Sequence, residues 1–136
     1  KGVVRSLQVM DDDVDVAKEG DRVGVALRNL REEALHRGCM ITHPDSEVMV
    51  RHDKSSLEIR TAPFQKRSLQ VDDVIHAAVD LQFVVGRVTH VEGTELAVDW
   101  DSPLWVRKEN LPSILITQLD AMPMRVIGVI DSIRHG

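Results

Sequence analysis

β-Branched and alternating apolar residues fill one short run after another, and this pattern commits most of the chain to strands: residues 2–9, 23–27, 48–50, 57–59 and 79–91. Further runs follow at 95–100, 113–119 and 124–133. Between them stand Glu92-Gly93-Thr94, Asp101-Ser102-Pro103 and Asp120-Ala121-Met122-Pro123, whose glycine, proline and small polar residues favour chain reversal. Short strands with turns at this spacing predict an all-β fold, a closed antiparallel barrel or a sandwich. One short helical segment is expected at residues 30–36, about two turns long. Asn29 is placed to cap its start, and Gly38 to take the left-handed conformation just past its end.

Thr42-His43-Pro44-Asp45-Ser46 gathers a proline and small polar residues between two strand-rich regions, and proline holds the residue before it extended. A boundary there divides the chain into expected domains at 1–43 and 44–136. With 136 residues and 43% hydrophobic content, each has only a modest core to draw on. The chain opens on Lys1 rather than methionine, which gives the expectation that it is part of something longer.

A net charge of −5 argues against a surface that binds nucleic acid by charge alone, so any RNA contact must be local. Cys39 is the one cysteine, which excludes an internal disulfide and fits a reducing, cytoplasmic compartment. It reads as a small buried apolar residue. The most apolar stretch, residues 74–85, is broken by His76, Asp80 and Gln82, so no segment has the length and apolarity of a membrane span.

Enzyme chemistry finds no foothold. A GTPase needs a glycine-rich loop ending in Gly-Lys-Ser/Thr, whose amides and lysine hold the phosphates, and no such sequence occurs in these residues. His36, His43, His52, His76, His90 and His135 do not fall at zinc-site spacings with Cys39 or with carboxylates. His43, Asp45, His52 and Asp53 are close enough in sequence to be weighed as a metal set, but surface polar residues are the preferred reading. Asp11-Asp12-Asp13-Val14-Asp15 lacks the glycine and distal glutamate of a calcium loop and is expected to be a solvated hairpin loop. Trp100 and Trp105, flanking the expected turn at Asp101-Ser102-Pro103, offer flat faces for a base or sugar, with barrel packing the equal alternative. No catalytic set and no metal set is expected.

Several segments carry a resemblance. Val4-Arg5-Ser6-Leu7-Gln8, then Ala17-Lys18-Glu19-Gly20-Asp21-Arg22-Val23-Gly24-Val25-Ala26-Leu27, the helical turn and Arg37-Gly38-Cys39-Met40-Ile41 resemble, in order and spacing, the second half of domain II in the elongation factor Tu superfamily. From about Glu47 onward the chain resembles domain III, the second barrel. The likeness is greatest to the selenocysteine-specific factors, through Leu69-Gln70-Val71-Asp72-Asp73-Val74, the run to Val88, Glu95 to Leu104, and Met124 to Ile130.

The resemblance implies antiparallel β-barrels of the domain II and III type, bound to aminoacyl-tRNA for delivery to the ribosome. GTP and magnesium would bind in a GTP-binding domain outside these residues, and that domain or a second chain would complete the first barrel. It also implies roles. Arg22 stands where selenocysteine-specific factors place an arginine that helps line the aminoacyl pocket, and a guanidinium suits a selenolate because a selenol ionises at neutral pH where a serine hydroxyl does not. A surface arginine paired with Asp21 or Glu19 is the plainer alternative. Arg60, Lys66, Arg67 and Arg87 are candidates for tRNA phosphate contacts, foremost the adjacent Lys66 and Arg67 in the loop after Phe64-Gln65. The rival reading is a GTPase-less barrel adaptor of the same superfamily that binds a protein partner.

Overall fold

A computed structural model describes residues 1–136, which divide into two compact units, Lys1–Cys39 and Met40–Gly136. The division falls just ahead of the proline-containing segment. All regular structure except one 3₁₀ turn is strand.

The first unit holds β1 (Val3–Val9), β2 (Asp12–Val14) and β3 (Val23–Arg28) in an antiparallel sheet of order β2-β1-β3. Met10 and Asp11, with φ of 51° and 66°, make the tight turn between β1 and β2, the both-positive geometry whose twist suits a hairpin. The acidic run is therefore not all loop. Asp12 and Asp13 pair in the ladder with Val9 and Gln8, and the Gln8 amide donates to Asp13 Oδ1 at 2.9 Å.

The expected two-turn helix is a single 3₁₀ turn, Glu32–Ala34. Asn29 sits at φ 57°, outside the extended geometry that an N-cap requires. Arg31 takes the cap position without a side-chain bond. No residue of the turn is buried, so nothing packs a longer helix into place. Gly38 does take the left-handed conformation, at φ 89°.

Cross-strand partners share a face of a sheet, and here the register puts Leu7 beside Val14 and Val25, Val9 beside Val23, and Val4 beside Leu27. One face is thus aliphatic except for Asp12 beside Val9 at the hairpin end, while the other carries Ser6, Gln8, Asp13, Gly24 and Ala26. Yet no residue of this unit is fully buried, and Cys39 is only half-buried. The sheet has an apolar face and no core of its own.

The second unit is a closed six-stranded barrel of order β4-β7-β6-β5-β8-β9, built from β4 (Met49–Thr61), β5 (Val74–Val79), β6 (Gln82–Glu92), β7 (Glu95–Arg107), β8 (Ile114–Thr117) and β9 (Val126–His135). Period-two alternation sends Leu57, Ile59, Ile75, Ala77, Val88, Leu96, Val98, Leu104, Val106, Ile114, Ile116, Ile127 and Ile130 into the core. The runs expected at 48–50 and 57–59 are one continuous strand. An irregularity between His52 and Lys54 shifts its register and lets both His52 and Ser55 point inward.

The expected turn at Asp101-Ser102-Pro103 is instead part of β7. Partners run from Asp99 directly to Leu104 along β4, and the β6 ladder ends at Trp100. These three residues therefore bulge out of both ladders, where a proline costs no ladder hydrogen bond. The two tryptophans part company across the bulge. Trp100 is buried and donates from Nε1 to Ser55 Oγ at 2.9 Å, which removes it as a base-stacking platform. Trp105 is 42% exposed.

Candidate functional site

The loop from β4 to β5, residues 62–73, carries the densest set of candidate residues, and its shape follows from side chain to backbone bonds. Gln65 Nε2 donates to the carbonyls of Met124 and Val126, each at 3.1 Å, which pins the loop against the start of β9. Arg67 bridges two carboxylates, Asp73 at 3.6 Å and Asp120 at 3.3 Å. Asp73 also accepts from the Gln70 amide at 2.9 Å. Leu69 alone in the loop is buried, as its apolar anchor. Lys66, between the pinned Gln65 and the bridging Arg67, is exposed and forms no ion pair.

Arg87 on β6 lies opposite Val74 and donates from Nη1 to the Asp72 carbonyl at 3.2 Å. It therefore joins Arg67 and Lys66 at one end of the barrel. Arg60 stands on the outer wall, opposite Val129 of β9, and its guanidinium holds Asp131 at 3.1 Å. The hydrogen bond and charge of that carboxylate raise its pKa above the ordinary arginine value. Lys66 is thus the cation of this group with no protein partner, while Arg60, Arg67 and Arg87 are each held in place.

Arg22 follows the turn Lys18-Glu19-Gly20-Asp21 of the first unit. Asp21 accepts from the Lys18 amide at 2.8 Å and donates its own amide to the Lys18 carbonyl at 3.0 Å, and Gly20 at φ 91° closes the turn. The Asp21 carboxylate is committed to the turn, and Arg22 is exposed and pairs with neither Asp21 nor Glu19.

The four residues weighed as a metal set do not converge. His43 and Asp45 lie 4.0 Å apart on the surface, Asp53 pairs with Arg51 at 2.8 Å, and His52 is turned into the barrel.

What the sequence reading missed is the surrounding of His52. Its ring stacks on His135 with centroids 4.6 Å apart and planes 20° from parallel, beside a cavity of about 410 Å³ that Arg107, Lys108 and Arg134 help to line. Burial, and then the charge of His135, lower the His52 pKa below the ordinary value of 6.5. The signal was present in sequence as a histidine at an inward position of an alternating strand, two residues after Val50, but its partner lies at the far end of the chain.

An antiparallel three-stranded sheet followed by a closed six-stranded barrel is a fold that this chain shares with solved structures of a translation elongation factor. Elongation factor SelB from Methanococcus maripaludis, in its apo form, matches 98% of this chain and 33% of its own with a TM-score of 0.73 at 24% identity. The same factor in complex with the GTP analogue GppNHp gives 0.72 at 23% identity, over 98% of this chain and 34% of its own.

In sequence, the chain is 35% identical over 78 residues to the selenocysteine-specific elongation factor of Methanocaldococcus jannaschii, covering 57% of this chain and 16% of the relative. It is also 30% identical over 82 residues to an uncharacterized protein of that organism, covering 60% of this chain and 26% of the relative. No protein-family model matches. The chain resembles SelB-type elongation factors in sequence and in fold, and it spans between a sixth and a third of their length.

Proposed function

We propose that this chain is the barrel part of a SelB-like elongation factor that binds aminoacyl-tRNA, selenocysteinyl-tRNA in particular, for delivery to the ribosome in the cytoplasm. The observation that carries this reading is a likeness running through both units at once, over 98% of the chain at a TM-score of 0.73. The 35% identity to a selenocysteine-specific factor supports it independently. GTP and magnesium bind in a domain outside residues 1–136, where hydrolysis takes place.

In this reading the sheet of the first unit is one wall of a domain II-type barrel. Its aliphatic face of Val4, Leu7, Val9, Val14, Val23, Val25 and Leu27 is covered by further strands, of the same polypeptide or another, because apolar sheet faces of this kind are stable when buried. Arg22 then reaches the aminoacyl group, where an unpaired, permanently charged guanidinium prefers a selenolate to a neutral hydroxyl. Lys66 leads the phosphate contacts of the second barrel, with Arg67, Arg87 and Arg60 beside it.

The test is binding of selenocysteinyl- and seryl-tRNA to the full gene product, before and after Arg22→Ala. The selenocysteinyl complex should weaken by about tenfold or more, the equivalent of roughly 1.4 kcal/mol, with the seryl complex nearly unchanged. Equal losses for the two would sink the pocket role, and no binding of either by the parent protein would sink the reading.

A further inference from the structure

Two loops meet at one end of the barrel. The turn Ala62-Pro63-Phe64-Gln65 is closed by the Gln65 amide, which donates to the Ala62 carbonyl at 2.9 Å. It abuts the β8–β9 loop, residues 118–125, because Gln65 Nε2 bonds the carbonyls of Met124 and Val126 across the join and Arg67 reaches Asp120. The β8–β9 loop is anchored in turn: Ala121 is buried, and the Gln118 amide donates to the Arg125 carbonyl at 2.9 Å. The surface they form is held in one shape by the protein itself.

Much of that surface is apolar. Phe64, Leu119 and Met124 are about half exposed, and Met122 is 73% exposed. A single exposed apolar side chain means little, but several on two joined loops mark a contact surface. Methionine suits this use, since its flexible thioether adapts to the shape of a partner.

Cations stand among these side chains. Arg67 takes up both Asp73 and Asp120, which leaves Lys66, Arg87 and Arg125 against Asp72 alone. Lys66 and Arg125 are exposed and pair with no carboxylate, and Arg87 bonds only the Asp72 carbonyl. In a chain whose net charge is −5 this end is locally positive.

The two features together select the occupant. RNA phosphates would satisfy the cations but leave Phe64, Leu119 and the two methionines without apolar partners. An anionic lipid surface calls for a denser cluster of lysine and arginine than this, and would meet the exposed Asp72 and Asp120. Strand addition is closed off, because β5, β8 and β9 are each paired on both sides in the barrel. Side chains must therefore do the recognising, as they do when an amphipathic helix lays its apolar face on a partner.

We infer that this end of the barrel docks an acidic amphipathic segment of a partner protein. The segment's apolar side chains cover Phe64, Leu119, Met122 and Met124, while its carboxylates meet Lys66, Arg87 and Arg125. The surface shares Lys66 and Arg87 with the tRNA contacts proposed above, but it is carried by apolar side chains for which those contacts have no use.

The probe is a synthetic helical peptide with leucine at i, i+3, i+4 and i+7 and glutamate elsewhere, added to the full gene product with isotope-labelled methionine methyls. The Met122 and Met124 methyl resonances should shift saturably, and Met10, in the other unit, should not. Affinity is read from the anisotropy of the labelled peptide. Met122→Gln with Met124→Gln, and separately Lys66→Gln with Arg125→Gln, should each weaken binding about tenfold or more. All four side chains are exposed, so the fold survives both changes. The methionine pair should leave tRNA affinity unchanged. Absence of any shift with the acidic peptide, equal binding of its lysine counterpart or of polyglutamate, or full affinity in the methionine variant would overturn the surface. So would a short RNA duplex or phosphatidylserine vesicles that move the same methyls where the peptide does not. The tRNA reading stands or falls separately, on the two aminoacyl-tRNAs.

Discussion

A β-carbon on Gly86 would stand 2.6 Å from Cε3 of Trp100 and equally close to Cγ1 of Val98. The absence of a side chain at this inward position of β6 is what makes room for the indole in the core. Gly86→Ala should therefore cost about 1–3 kcal/mol, the usual range for overpacking a dense interior, seen as a lower urea midpoint. Gly24→Ala, whose methyl meets nothing nearer than 3.7 Å, is the control on a strand. Equal effects of the two substitutions would show that Trp100 moves aside.

The other side of the same indole is fixed by a hydrogen bond. Ser55 is 1% exposed and accepts from Trp100 Nε1. Ser55→Ala leaves a buried N–H without a partner, which costs about 1–3 kcal/mol. Ser55→Thr keeps the hydroxyl and should lose less if the added methyl is accommodated. Red-shifted or more exposed tryptophan emission in the alanine variant alone would trace the loss to the indole, and an unchanged urea midpoint would remove the hydrogen bond as a stabilising contact.

How much of this could be read from the chain depends on the range of the interaction. Strand positions were legible wherever alternation was clean, as at Leu96, Val98 and Trp100, because burial follows period two, whereas the single run expected at 79–91 joins the end of β5 to β6 across the turn at Asp80 and Leu81. The joining of two short runs into β4 was not, since Asp53 and Lys54 interrupt the alternation and the register shift there has no local signature. Asp101-Ser102-Pro103 has turn chemistry, yet the ladders on either side absorb it as a bulge. The residues at 30–36 carry helix formers, but the helix depends on packing that this segment does not receive. Among the candidate cations, exposure of Lys66 and Arg22 followed from their loop positions. The carboxylates that hold Arg60 and Arg67 did not, because Asp131 and Asp120 are supplied from far along the sequence.

The buried histidine makes stability fall in mild acid. His52 has a folded pKa below the 6.5 it has when free, so between those two values the unfolded chain binds the proton more readily than the folded one. Stability is therefore fully present above about pH 6.5 and declines as pH drops toward the folded value, levelling off below it. Most carboxylates titrate nearer pH 4, so thermal midpoints taken from about pH 7 to pH 5 report chiefly on histidines. His52→Gln should flatten this part of the profile while His90→Gln leaves it in place. A parent profile as flat as that of His52→Gln would rule out the buried ring as its source.

Lys66 and Arg67 are neighbours in one loop, and their different surroundings separate charge from structure. Lys66 has no carboxylate to neutralise it, whereas Arg67 is shared between Asp73 and Asp120. Lys66→Gln should thus leave the fold untouched and remove one released counterion from tRNA binding, lowering the slope of log affinity against log salt by about 1. Arg67→Gln has two effects, because it also unties the loop from the carboxylates on both sides. Exposed bridges of this kind contribute about 0–1 kcal/mol each, so a small fall in the urea midpoint should accompany its loss of affinity. Asp120→Asn frees one arm of Arg67 without removing the cation and is expected to raise tRNA affinity slightly. Salt titrations of the three variants decide between contact and brace: an unchanged slope for Lys66→Gln would exclude the loop from the RNA interface, whatever happened to the stability of the other two.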